Sequence, residues 1–358
     1  MNRERRTQTG QGQPLGPSES TDSPSSESAL FPISAVASYL QGAGVPVSSR
    51  GNELSWRGGA GCEVGIRVKP LALVTDDGLH VVEQAQVLLD APWLRNLDDG
   101  KAEAVNQLAT VGGFVRPSGS STFRLVSKVG IFRGDKAAAE RVYAPVMAGW
   151  AAALPWMAER LARGELAVPP ELSPYHRTDE VPPVTDWDLA QALEHGVQAL
   201  GLLGSLGSGS LAAEFPWDEG ALSQVARLPG VIDKLRKLAG VGPEVARRAG
   251  GRTALLLIRT DVHHPWFGRG VRCTLELPLP TKGPEALQLI HDLNRWELET
   301  PDLPPYFGAW VLGPRAPMFL TFIPNQMCVP GSVVYLVHWA RVRAGSARRW
   351  LLEAGAWN

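Results

Sequence analysis

Cysteine is scarce in this sequence. Only Cys62, Cys273 and Cys328 occur among 358 residues, an odd number and far apart. A disulfide framework is therefore not expected, and a reducing compartment, the cytoplasm, is the default expectation. No apolar run approaches the roughly 18 residues of a membrane helix, so no membrane span is expected. The first residues include Arg3, Arg5 and Arg6 but no apolar stretch of a secretory leader. An excess of charge is also missing: Lys+Arg 35 against Asp+Glu 36 leaves a formal net charge of -1. That argues against a dedicated nucleic-acid binder, whose affinity would rest on neutralising phosphates. The sequence also lacks any motif that specifies catalysis or a metal.

What is present is a globular composition, 44% hydrophobic and 20% charged, in a chain long enough for two ordinary domains. Residues 1–29 are dominated by Ser, Pro, Gln, Gly and Thr. Such a segment buries too little apolar surface to offset its ordering entropy and reads as a disordered tail. The clearest pattern comes last. Met318 to Ile323 is short, apolar and aromatic, a strand signal. Pro330 and Gly331 then open a helix with Val333, Leu336, Val337, Ala340, Ala344, Ala347 and Leu351 on one stripe, and with His338, Arg341, Arg348 and Arg349 largely off it. A looser copy lies mid-chain: a strand over 123–132, then a helix with Val142, Val146, Trp150, Ala153, Met157 and Leu161 on one face, kinked or delayed by Pro145 and Pro155.

The remaining elements fall into the same order twice. In the first half a helix over 31–41 precedes strands at 53–56, 62–69 and 79–89, with Asp76-Asp77-Gly78 as a hairpin turn; a helix over 101–110 and strands at 113–116 and 123–132 follow. Residues 165–186 are rich in proline and acidic residues and read as a stiffened linker. In the second half come a helix over 187–203, a strand at 210–217, an addition at about 222–248, a hairpin from 253–261 and 271–277, a helix over 285–296 and strands at 307–312 and 318–323. The expected fold is thus α+β: two tandem copies of an α-β-β-β-α-β-β-α unit with antiparallel sheets. The expected divisions are a tail at 1–29, a domain at 30–164, a linker at 165–186 and a domain at 187–358.

The helix, strand pair and long final helix of each half (105–161 and 290–352), with the hairpin before each (62–89 and 253–277), carry a resemblance. The arrangement resembles the type III secretion chaperone-like fold and, within it, YbjN-type domains. Two copies in one chain, the addition at 222–248 and the long tail depart from that pattern. The resemblance implies homodimer-like pairing, here between the two halves, and binding of protein segments without enzymatic chemistry; it supplies no partner.

Candidate chemistry is thin. Asp261, His263 and His264 form the densest polar cluster, and His291 with Asp292 could approach it. A divalent metal needs three or four converging ligands, and only loop spacing supports that, so no metal or cofactor is assigned. The stretch reads instead as a hairpin tip whose aromatics suit protein contact. His263, His264, Trp266 and Phe267 are therefore the candidate partner-binding residues. The glycine-rich run 201–209 has a helix before it, a strand after it and no lysine, the reverse of a phosphate loop, and reads as a helix end and flexible turn. Cys273 alternates within a strand as a small core residue, and Trp150, Trp156, Trp187 and Trp339 read mostly as core. The expected function is a cytoplasmic, non-enzymatic protein-binding or chaperone-like module whose protein or peptide partner is unknown. The alternatives are a metal-dependent hydrolase using 261–264 and a structural subunit of a larger assembly.

Overall fold

A computed structural model describes residues 31–58, 61–74, 80–109, 112–132, isolated positions between 144 and 165, 184–217, 253–264, 268–279, 285–300, 308–325, 328 and 332–354. The expected tail, the Asp76-Asp77-Gly78 turn, most of the linker, the addition at 222–248 and the inward set named for the mid-chain helix lie outside these residues.

The fold is α+β with two antiparallel six-stranded sheets. The first unit runs α1 (Ile33–Gly42), β1 (Ser48–Arg50), β2 (Glu53–Arg57), β3 (Glu63–Val74), β4 (His80–Asp90), α2 (Asp99–Ala109), β5 (Gly113–Val115) and β6 (Arg124–Phe132). The second runs α3 (Asp186–Leu200), β7 (Leu203–Gly207), β8 (Ser210–Pro216), β9 (Thr253–His264), β10 (Gly268–Glu276), α4 (Glu285–Glu299), β11 (Ala309–Leu312), β12 (Pro317–Pro324) and α5 (Ser332–Glu353). The sheet orders correspond: β1-β2-β3-β4-β6-β5 in one unit, β7-β8-β9-β10-β12-β11 in the other.

Each sheet holds one strand more than the sequence pattern gave. In the first unit it is β1, three exposed residues paired with β2, too short to show alternation. In the second it is β7, hidden in the glycine-rich run. Gly201 ends α3 in the left-handed conformation, φ 65°, as the helix-end reading requires. The chain then forms a strand at once, and Gly207 pairs with Ser210 across a two-residue turn. Glycine at 204 follows from packing: a side chain there would collide with Leu193 Cδ1. The start of α3 is fixed by a capping box between Thr185 and Asp188, and Asp186 accepts a hydrogen bond from the Gly209 N–H at 2.8 Å, tying the turn to the helix.

Alternation along the strands builds two cores. Leu54, Val64, Ile66, Val87 and Leu89 fill the first, together with Ala144, Met147, Ala148 and Ala151 from the mid-chain segment at helical spacing. Leu211, Phe215, Leu256, Ile258, Cys273 and Leu275 fill the second, against α5. All seven residues of the expected α5 stripe are buried. Burial of α5 goes further, because Leu336 to Ala340 are buried in succession, so His338 lies inside rather than off the stripe. Trp187 departs the other way: it sits in the first turn of α3, away from the buried Leu189 and Ala192, and is 66% exposed.

Candidate functional site

The two units meet along a seam made of corresponding parts. Helix α2 packs on β11, helix α4 packs on β5, and α2 touches α4. Each edge strand is held to its own helix by one buried asparagine. Asn106 on α2 accepts from the Phe114 N–H at 2.7 Å and donates to the Phe114 carbonyl at 3.2 Å. Asn294 on α4 accepts from the Trp310 N–H at 2.9 Å and donates to the Trp310 carbonyl at 2.8 Å. A strand edge buried against a helix needs partners for its main chain, and a carboxamide supplies one donor and one acceptor together.

From these anchors the correspondence reads residue by residue. The neighbour of Asn106, Gln107, donates across the seam to the Leu312 carbonyl at 3.2 Å; the neighbour of Asn294, Arg295, donates across it to the Arg116 carbonyl at 3.3 Å. Leu312 and Arg116 stand two residues beyond Trp310 and Phe114. The seam therefore has the character of a local two-fold, in which i meets j and j meets i.

Other corresponding positions carry different chemistry. Glu103, three residues before Asn106, is buried and accepts from the Leu312 N–H and from Gln107 Nε2. Burial pushes its carboxyl up, and those two hydrogen bonds oppose the shift. His291 occupies the matching place on α4. It packs on the Phe123 ring at 5.8 Å and lies 3.8 Å from Asp99 Oδ1, which also binds Arg116 at 2.7 Å. Burial pulls the imidazole down, opposed by the Asp99 charge. In the paired strands Lys128 corresponds to Phe322, and both side chains cross the seam. Phe322 joins the first unit's core. Lys128 Nζ donates to the carbonyls of Glu297 and Leu298, at 2.7 and 3.2 Å, near the C-terminal end of α4. Burial brings this amine down to about 8, with Glu297 opposing and Arg343 and Lys69 adding to the fall. Glu297 in turn accepts from Arg343 Nε at 2.7 Å and from Trp310 Nε1 at 2.9 Å, and the Arg343 guanidinium lies 4.0 Å over the Phe319 ring. Arg343 is only 2% exposed, which its fixed partners make tolerable.

Of the residues expected to bind a partner, His263 and His264 are the two that the structure describes. His263 and His264 are the last two residues of β9, which runs beyond the expected 253–261. Successive strand residues face opposite sides, so the two imidazoles do not converge. His263 is exposed; His264 is 5% exposed and packs on the Phe322 ring at 4.8 Å, inside the seam region. Trp266 and Phe267 lie outside the described residues. No three His, Cys, Asp or Glu side chains gather as metal ligands among the described residues. The thiols of Cys273 and Cys328 are pushed up to about 12 by burial, far from a poised nucleophile. A small cavity of about 10 Å³ lies beside Arg343, Cys273 and Thr321, near the size of one water.

What the sequence reading missed is the seam itself. The signal was present as two asparagines, each in the second half of its helix and each followed by a short apolar strand. Among the described residues no helix is long and apolar enough to cross a membrane. No family model, curated protein or solved structure matches this chain.

Proposed function

We propose that this chain is a non-enzymatic protein-binding module of the cytoplasm, in which two chaperone-like α+β units are fused as a built-in pseudo-dimer. The observation that carries the reading is the seam, where matching elements of the two units make matching contacts. It joins the sheets at β5 and β11 and leaves β1 and β7 as the outer edges, with no further strand paired to either among the described residues. A pair of joined sheets, each with an outer edge that no further described strand pairs, suits the capture of extended or helical segments. The pattern-level resemblance to YbjN-type and type III secretion chaperone-like domains points the same way.

The test is affinity capture from native lysate followed by mass spectrometry, using the full chain and a chain starting at Phe31. A specific partner shared by both supports binding by the folded units. A partner seen only with the full chain moves recognition to the N-terminal residues. Absence of any partner for either, with both folded, removes the reading.

A further inference from the structure

The two outer edges of the molecule are built differently. β1 is three residues long and carries Arg50, in register with Glu53 of β2. β7 runs five residues, Leu-Gly-Ser-Leu-Gly, in unbroken register with β8, and holds no charge, no proline and no bulge. Edge strands are ordinarily guarded by such features, because their free main chain accepts another strand. The free groups on β7 can be assigned. The Thr260 N–H donates to the Gly209 carbonyl, so Leu211 bonds β9, while Ser210, Ala212 and Glu214 turn their main chain to β7. Their partners Gly207, Ser205 and Leu203 are thereby used, and the N–H and C=O of Gly204 and Leu206 point off the sheet. Side chains alternate as well. Gly204 and Leu206 lie on the helix side, opposite the buried Ala213 and Leu211, and Ser205 lies on the other. Leu206 is 47% exposed. Gly204 offers no side chain, and Leu193 of α3 fills the space above it. Helix α3 turns Gly196 to Val337 of α5 and Leu193 to the sheet, so the flank with Trp187, Ala190 and Val197 stands over the open side of β7. Trp187 on that flank is 66% exposed. Glu194, beside it, is drawn along its own helix by Gln198, which donates to it at 3.0 Å.

We propose that β7 is the contact through which two copies of this chain pair, edge to edge and antiparallel, about a two-fold at Ser205. The strand is complementary to itself in that register. Gly204 exchanges main-chain hydrogen bonds with Leu206 of the second copy, and Leu206 with its Gly204, so every free group of the edge is used. Each exposed leucine then lies across from a residue without a side chain and reaches Leu193 of the second copy. Ser205 faces its own image on the opposite side of the sheet, where no helix crowds it. The sheet continues through both copies, and α3 meets its image about 10 Å away, two strand spacings and a normal distance for packed helices. Trp187 of each copy then covers the flank of the other. A foreign strand would obtain the hydrogen bonds, but this strand's own sequence sets a glycine opposite each leucine. The contact is separate from the protein-binding reading and leaves β1 open.

The experiment is sedimentation velocity of the full chain over a wide concentration range, with Leu206→Pro beside it. Proline at 206 removes only an outward N–H and keeps the bonds to β8. Wild type should dimerise reversibly, and Leu206→Pro should weaken the dimer about ten-fold or more while its circular dichroism stays that of wild type. A second measurement reads the register without touching the fold. A non-hydrogen-bonded pair sets its Cα atoms about 4.5 Å apart, within disulfide reach. Ser205→Cys should therefore form a covalent dimer on mild oxidation with copper-phenanthroline, and Ser49→Cys on the exposed β1 edge should not. Cys62 and Cys273 are buried and add little background. A chain that stays monomeric at every concentration, a dimer indifferent to a folded Leu206→Pro, or equal cross-linking at 49 and 205 would each overturn the proposal. So would a lysate protein that cross-links to Ser205→Cys in place of a second copy, an outcome that leaves protein binding standing.

Discussion

Gly113 and Ala309 hold the same place in the two units, the first residue of β5 and of β11, and they touch each other. A methyl built on Gly113 would lie 3.0 Å from the Ala309 methyl. Contact between matching positions is what a local two-fold relation produces.

Crowding at that point makes position 113 a wedge site. Gly113→Ala should be tolerated with a small loss, since the neighbouring methyl need yield only a few tenths of an ångström. Gly113→Val should lower the Tm by several degrees, in line with the roughly 1–3 kcal/mol cost of overpacking. Thermal unfolding with protease susceptibility checks this; an unchanged Gly113→Val would mean the edges do not meet.

The two asparagines should behave alike. Asn106→Ala leaves the Phe114 N–H and carbonyl without their partner, and Asn294→Ala does the same at Trp310. Each orphaned buried group costs about 1–3 kcal/mol. Urea unfolding should show losses of similar size for both variants, and Asn→Asp should not rescue either, because a carboxylate cannot donate to the carbonyl.

Lys128 gives an alkaline signature. Its folded value, about 8, lies below the ordinary 10.5. Between these values the unfolded chain binds the proton and the native chain does not, so stability rises with pH across that window. Wild type should gain on Lys128→Met from pH 8 to pH 10.5, by at most about 3 kcal/mol. A difference flat in pH would show that the amine is not desolvated in the seam.

His291 gives the acid counterpart. Burial holds its folded value below the ordinary 6.5. As pH falls below 6.5 the unfolded chain takes up the proton first, so wild type loses stability relative to His291→Gln. Chemical unfolding at pH 7.5, 6 and 5 reads the sign directly.

The thiols should be slow. Cys62 and Cys273 are buried, and burial keeps Cys273 and Cys328 almost wholly protonated near neutrality. A thiol reagent at pH 8 should label the native chain slowly and all three cysteines within minutes in denaturant. Fast native labelling of Cys273 would contradict its place beneath α5.

The elements legible in the sequence were those whose side chains report burial along the chain. The α5 stripe was read correctly because every fourth or third residue faces one core. β9 was read too short: its central leucines announce a strand, but His263 and His264 look like a loop until register with Arg269 and Gly268 is seen. β1 and β7 were missed because a three-residue edge and a glycine-bearing edge carry no alternation. The seam was illegible for a different reason. Asn106, Glu103, Lys128 and Arg343 are polar, and polar residues read as surface until their partners are known. Trp187 erred in the opposite sense, since an aromatic in an amphipathic helix reads as core although the first turn leaves it in water.

Position 128 holds lysine where position 322 holds phenylalanine, and position 103 holds glutamate where 291 holds histidine. Two identical chains meeting on an axis must place each residue against the image of its own surroundings, so neither side can change alone. One continuous polypeptide escapes that rule. Matching positions of the seam are therefore free to carry different chemistry, and the linkage keeps the local concentration of the two sides independent of dilution. The outer surfaces have the same freedom to differ.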